Sequence, residues 1–401
     1  MKVLCVFGKH NYGDAARGIG IEYGSFIPAL RRLGHEVVHF DPWDRRLFSD
    51  FAQLNRSLVE TVEREHPQVM LVVPIHYEVW VETLRIIQAR GDVATICWTT
   101  DDSWKYDQFS RLIGPYYHAM TTTYSEMIPR YHRDGIRNVL LTQWAANSEW
   151  LHPPLPATAC RYPVTFVGMA HGNRQQRVAE LRAQGIEVRC FGYGWPDGPI
   201  ATEEIPRIIH ESVISLNFSN NFERFKGRNQ IKARTFEVPG AGGFLLTEAA
   251  PGLETWYAIG KEIAVFDDTE NLVRQIRYFL SNPTERDRIA QAGFERTRRE
   301  HTYDARLREL VDFAMNAQQS ESGKRPAERL IDFEQACQTH RLNAPLRWLR
   351  QAMLMSSIAV WGRQRGPRAV RRMLFETSWR LRGVWTYSAA GWPGRMFYQW
   401  S

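Results

Sequence analysis

The chain has 401 residues, of which 44% are apolar and 24% charged, a balance that excludes wholesale disorder and is too long for one ordinary domain. The formal net charge of +7 is unevenly spread: residues 341–401 hold eleven arginines, no lysine and one acid, Glu376. That segment also contains six of the fourteen tryptophans, so it is expected to have a task different from the rest. The longest uncharged runs late in the chain, 351–362 and 383–394, have twelve residues each. A spanning helix needs about twenty, so no membrane crossing is expected. Residues 3–7 are the only apolar run at the start, too short for a secretory signal. Five cysteines stand far apart without CxxC spacing, which suits reduced thiols in a cytoplasmic protein better than a disulfide scaffold or a zinc site.

In chain order, short apolar runs alternate with helix-length amphipathic stretches. Strands are expected at 2–8, 35–41, 68–74, 93–101, 118–123 and 138–144, with helices such as 24–33 and 51–65 between them. Prolines at 153, 154, 156 and 163 then predict an extended linker and a domain boundary. Alternation restarts with strands at 164–169, 187–192, 213–218, 243–247 and 262–266 and helices at 174–184, 229–238, 271–280 and 284–299. A polar stretch at 316–328 reads as a second linker. The expected division is 1–152, 153–316, and a linker with basic tail at 317–401. Strands alternating with helices imply parallel sheets covered on both faces.

Two motif matches fail on context. His35-Glu36-Val37-Val38-His39 fits the HExxH pattern, but Gly34 precedes it and the run reads as a strand. Residues i and i+4 of a strand lie about 13 Å apart and cannot share a zinc ion. Gly18, Gly20 and Gly24 approach a dinucleotide fingerprint, yet the spacing is GxGxxxG and begins some ten residues after the first strand ends. A mobile glycine-rich loop over 9–24, able to close on a ligand, is the plainer reading. The chain has no DxD, no GxxxxGK[ST] and no GxSxG. No metal is expected, and any diphosphate must be met by arginine, lysine and helix amino termini. In the second domain, Gly168 and Arg174 stand between a strand and a helix start. Lys232, Arg234 and Glu237 follow on another helix ahead of Gly240. Arg234 and Glu237, three apart, could equally be an exposed ion pair.

The stretch QIKARTFEVPGAGGFLLTEAAPGLETWYAIGKEIAVFDDTENLVRQIRYFLSNPTERDRIAQAGFERTRREHTYDAR closely resembles the carboxyl-terminal domain of CgeB-like (spore-maturation-type) glycosyltransferases of the GT-B, family-1-type class. VTFVGMAHGNRQQR, FGYGWPDGPI and VISLNFSNN match the same pattern, and WTTDD and GHEVVHFD fit the first domain. The resemblance covers about 1–315, is strong over 163–304, and leaves the tail uncovered.

It implies an α/β protein of GT-B type, two Rossmann-like doubly wound domains with a cleft between them, to which composition adds a basic, Trp-rich helical tail. It implies a nucleotide-diphosphate sugar donor held by the second domain, with no further cofactor. Glu237 then accepts the ribose hydroxyls, and Arg174, Lys232 and Arg234 neutralise the diphosphate. Gly168 and Gly240 flank the site, and Glu254 either touches the donor or caps a helix. Relatives carry a second glutamate where this chain has Asn229, which weakens that route to the sugar. An inverting enzyme would need a base from the first domain. Asp102 and His10 lead a field that includes Asp14, Asp101 and His118; a retaining one would need none.

Arginine interleaved with tryptophan in 341–401 suits the headgroup layer of an anionic membrane, and the plain alternative is a helical extension packed on the body. No nucleic-acid motif accompanies the arginines. The expected protein is a glycosyltransferase acting on a glycan or lipid-linked acceptor, cytoplasmic and peripheral on the inner membrane face. An NAD(P)-dependent oxidoreductase and a non-catalytic scaffold remain the alternatives.

Overall fold

The computed structural model describes residues 1–219, 229–321 and 332–400. Two compact units emerge, one built from 1–142 with 307–401 and the other from 143–306. The tail is therefore part of the first unit, and the division at 142/143 precedes the proline cluster. Of the polar linker expected at 316–328, the first residues prolong the helix Tyr303–Glu321, and the remainder lies outside the described residues.

The first unit carries a six-stranded parallel sheet: β1 (Lys2–Val6), β2 (Glu36–Phe40), β3 (Val69–Val72), β4 (Ala94–Cys97), β5 (Ala119–Thr122) and β6 (Val139–Leu141). Their order is β2-β1-β3-β4-β5-β6. Every residue of β3, β4 and β5 is buried, as continuous apolar runs covered on both faces require. His39 lies in β2 with Nε2 2.8 Å from the Phe7 carbonyl, so the HExxH run is a strand.

The second unit holds β7 (Tyr162–Val167), β8 (Arg189–Phe191), β9 (Ser212–Asn217), β10 (Leu245–Glu248) and β11 (Ala264–Phe266), all parallel, in the order β11-β10-β9-β7-β8. Strand order reverses at β1/β3 in one sheet and at β7/β9 in the other. In open sheets of this kind ligands bind outside the carboxyl ends of the strands at those reversals.

The proline-rich segment ahead of β7 carries a single 3-10 turn, Ala157–Ala159, and Arg286 fastens it. This fully buried side chain donates from Nη1 to the Leu155 carbonyl (2.9 Å), from Nη2 to Ser212 (2.8 Å) and from Nε to Val213 (2.7 Å). Its charge is met by three carbonyls and by Asp287, the arrangement a buried guanidinium requires.

The tail helix Ala344–Arg382 breaks at Gly362, whose φ of 75° turns the chain back on itself. Its second half buries Val370, Leu374 and Phe375. Phe375 stands 5.9 Å from the Tyr77 ring, and Trp379 packs on the same core as the first sheet.

The loop after β1, expected to be mobile, is closed by bonds within itself. His10 bridges Ile19, the Gly20 amide donates to the Lys9 carbonyl (2.9 Å), and Asn11 Nδ2 donates to the carbonyls of Arg17 and Ile19 (both 3.1 Å). A side chain at Gly8 would strike the Trp43 ring at 2.1 Å, so this glycine serves packing.

Candidate functional site

In the second unit the strand-order reversal brings cationic groups together. The loop 168–173 leaves the carboxyl end of β7 and enters the helix Arg174–Ala183. Arg174 is buried, with Nη1 donating to the Met169 carbonyl (3.0 Å) and Nη2 to that of Phe218 (3.0 Å). Burial and the nearby Arg234 draw its guanidinium down to about 10, against the pull of Glu248. Arg174 thus joins the ends of β7 and β9 and supplies positive charge from beneath the loop. Each terminal nitrogen gives one N–H to a carbonyl and keeps a second, and Nε has no hydrogen-bond partner among the described residues, so direct contact with a diphosphate stays an expectation.

The accessible cations come from the other side. The helix Arg234–Gly240 starts beside the end of β7, where Arg234 Nε donates to the Val167 carbonyl (3.1 Å). Arg234 Nη1 also meets Glu237 Oε2. The ion pair allowed by their spacing does form, but half-buried at the sheet edge, with the Glu237 side chain only 9% exposed. Lys232, just before this helix, bonds Gln230 (2.7 Å). His171 on the loop was not singled out from the sequence. Burial, with Arg174 and Lys232 nearby, holds its imidazole down to about 4, which makes it neutral at physiological pH. Three basic side chains, a neutral imidazole and one carboxylate therefore share the carboxyl edge of β7 and β9.

The remaining expected residues behave differently. The Gly168 amide donates to the Phe191 carbonyl (2.8 Å) and its carbonyl accepts from Trp195 Nε1 (2.8 Å), so this backbone is committed to the fold. A Cβ at Gly240 would lie 2.5 Å from that of Ala146, which makes this glycine a packing requirement. Glu254 is exposed on the turn Leu253–Thr255 after β10 and caps nothing. Asn229 donates to the Ala249 carbonyl (2.7 Å). A buried ion pair of Arg177 with Glu248 (2.8 Å) backs the site, Glu248 also accepting from the Ser219 amide (2.9 Å).

In the first unit Asp102 is 1% exposed and enclosed by hydroxyls: Ser110 (2.5 Å) bonds Oδ1, while Tyr131 (2.8 Å) and Thr99 (3.0 Å) bond Oδ2. Burial raises its carboxyl while these donors and Thr122 oppose the rise. No incoming hydroxyl can approach it, so the catalytic expectation is corrected to a structural one. His118 is likewise buried, with Nδ1 accepting from the Thr95 amide (3.0 Å). Asp14 caps a short turn by accepting from Ala16 (3.0 Å), and Asp101 pairs with Lys105 (3.6 Å). His10 stands half-buried at the carboxyl end of β1, its Nδ1 buried and without a hydrogen-bond partner among the described residues, and Asp44 lies within electrostatic reach. Beside it Glu22, passed over in the sequence, has its carboxylate against Gly20, and burial pushes it up to about 6. Among the described residues no group of three or more His, Cys, Asp or Glu is placed to hold a metal.

Residues 174–312 match a family profile described as glycosyl transferase-like. Comparison with curated proteins gives no match. Among solved structures, the chain is similar to a sucrose-phosphate synthase from Thermosynechococcus elongatus (TM-score 0.54, 11% identity, 79% of this chain and 100% of that one). It is similar also to a glycosyltransferase from Rickettsia africae (TM-score 0.53, 12% identity, 79% and 98%). A third likeness is to HepE of Anabaena in complex with UDP and glucose (TM-score 0.51, 11% identity, 78% and 99%). At these identities the likeness establishes the fold, two parallel α/β domains of GT-B type with an added helical tail.

Proposed function

We propose that this chain is a glycosyltransferase that moves a sugar from a nucleotide-diphosphate sugar to an acceptor hydroxyl, without a metal or other cofactor. The observation that carries the reading is the gathering of Lys232, Arg234, Arg174 and Glu237 at the β7/β9 edge, inside the stretch that matches the glycosyl transferase-like profile. Lys232 and Arg234 neutralise the diphosphate, and Arg174 adds its field from below. Charge that builds on the departing nucleotide is then met by groups already in place, where electrostatic catalysis acts. Glu237, held by Arg234 through Oε2, offers its other oxygen to the ribose. HepE was solved with UDP and glucose, which makes UDP-sugars the first donors to test. In the first unit, His10 and Glu22 flank the end of β1 and are the groups placed to take a proton from an acceptor.

The acceptor in this reading is a cell-surface or lipid-linked glycan, and residues 341–401 bring the enzyme to an anionic membrane surface from the cytoplasmic side. Among the described residues no helix is long and apolar enough to cross a membrane. The nicotinamide alternative loses ground, because Gly18 and Gly20 are taken up by the bridged loop rather than a strand-to-helix turn.

Thermal unfolding with UDP-, GDP-, dTDP- and CMP-sugars, and with NADH, tests the proposal. One nucleotide-sugar class should raise the midpoint by a few degrees at saturating ligand, roughly the effect of 2–3 kcal/mol of linkage. A shift with NADH alone would establish the oxidoreductase alternative, and no shift with any ligand would leave a scaffold.

A further inference from the structure

The break at Gly362 converts the tail helix into a hairpin whose two arms have different surfaces. Along the first arm, Leu346, Arg350, Met353, Leu354, Ser357 and Ile358 turn inward. Leu354 and Met353 join the small core of Val370, Leu374, Met396 and Phe397. The arms touch backbone to backbone: Ser357 donates to the Gly366 carbonyl (2.7 Å), and a Cβ at Gly366 would lie 2.7 Å from Ile358 Cα. This contact fixes which face of the first arm looks outward.

That outward face is apolar. Trp348 is 77% exposed, Val360 69%, Met355 58% and Leu349 51%, and between them stand Ala352, Ser356 and Ala359, while Trp361, 54% exposed, stands at the end of the arm beside the break at Gly362. The spacing 348, 352, 355, 359 is one continuous helical stripe. Among the described residues nothing in the unit covers it. The opening of the second arm carries Arg363, Arg365 and Arg368, all exposed and without an ion pair among the described residues. The sole acid of the tail, Glu376, is already engaged by Arg372, Arg380 and Trp379. Other tail residues that suggested a lipid contact are spent internally. Trp392 lies under Arg382 (5.3 Å), and Arg395 Nη2 donates to the Arg341 carbonyl (2.7 Å).

We propose that the first arm, 344–361, is the element that lies in an anionic bilayer surface, its Trp348–Met355–Val360 face in the acyl boundary and Arg363, Arg365 and Arg368 on lipid phosphates at the elbow. This rests on the membrane reading of the tail and not on sugar transfer. The argument is complementarity: an uncharged apolar stripe bordered by guanidinium groups without an ion pair among the described residues matches an interface that is apolar below and anionic above. Indole suits that boundary because its body is apolar and its N–H reaches water.

Co-sedimentation of the full chain with phosphatidylcholine vesicles, with and without phosphatidylglycerol, tests it. Wild type should bind only the anionic vesicles. Trp348→Ser with Trp361→Ser should lower partitioning at least about tenfold. Arg363→Gln with Arg365→Gln and Arg368→Gln should lower it about a hundredfold and flatten its salt dependence. All these side chains are exposed, so unchanged thermal unfolding is expected and serves as the folding control. Wild-type binding that survives both sets of substitutions would overturn the assignment of the inserting arm while leaving the tail as the membrane contact. No wild-type binding would overturn the membrane reading as well. An oligomer dissolved by the tryptophan substitutions, with vesicle binding intact, would make the stripe a subunit interface and equally overturn the proposal.

Discussion

Glu237→Ala is expected to weaken donor binding by about a hundredfold or more while the protein stays folded. In the proposed binding mode the substitution removes the acceptor of two ribose hydroxyl bonds, each to a charged group and each about 1.5–3 kcal/mol. It also releases Arg234, whose Nη1 rests on Glu237 Oε2 and whose Nε holds the Val167 carbonyl. Fold damage should be modest, because Arg234 keeps the second contact and is itself partly exposed. Lys232→Ala, which removes one charge near the diphosphate, should cost about tenfold to a hundredfold. Isothermal titration with the nucleotide sugar that shifts thermal unfolding distinguishes the two. Undiminished affinity in Glu237→Ala would refute its role.

Asp102→Ala is expected to destabilise the first unit by about 3 kcal/mol, because the hydroxyls of Ser110 and Tyr131 lose their shared acceptor in a dry site, while Thr99 keeps the Thr121 carbonyl. Asp102→Asn, with one acceptor oxygen left, should cost less. Urea unfolding followed by far-ultraviolet dichroism reads both. A folded Asp102→Ala protein of undiminished stability that had lost only activity would restore the catalytic role that the structure takes from this residue.

These two residues also show how far the sequence could be read. All eleven strands lie where apolar alternation places them, since parallel strands covered on both faces must be continuous apolar runs. Glu237 and Lys232 were expected at the donor site through the family resemblance alone, since residue type and spacing suit an ion pair of Arg234 with Glu237 equally well. Asp102 was misread because a carboxylate at a strand end looks the same in sequence whether it faces solvent or three hydroxyls that arrive from residues 3, 8 and 29 positions away. Arg174 was half-read: its charge is at the site, but the carbonyls it holds belong to Met169 and to Phe218, 44 positions distant. Glu22 was missed because its only signal, burial beside Gly20, arises from the folding of the loop after β1. In the tail, composition pointed to arginine and tryptophan as a class. The turn at Gly362 decides which of them pack, as Trp379 and Trp392 do, and which face outward, as Trp348 and Trp361 do.

The position of a bound nucleotide decides the account most directly. In a crystal grown with the sugar nucleotide, or with UDP, the diphosphate should lie within hydrogen-bond distance of Lys232 and Arg234 beside the 168–173 loop, with the ribose on Glu237. A nucleotide ordered at the 9–24 loop of the first unit, with the β7/β9 edge empty, would contradict it.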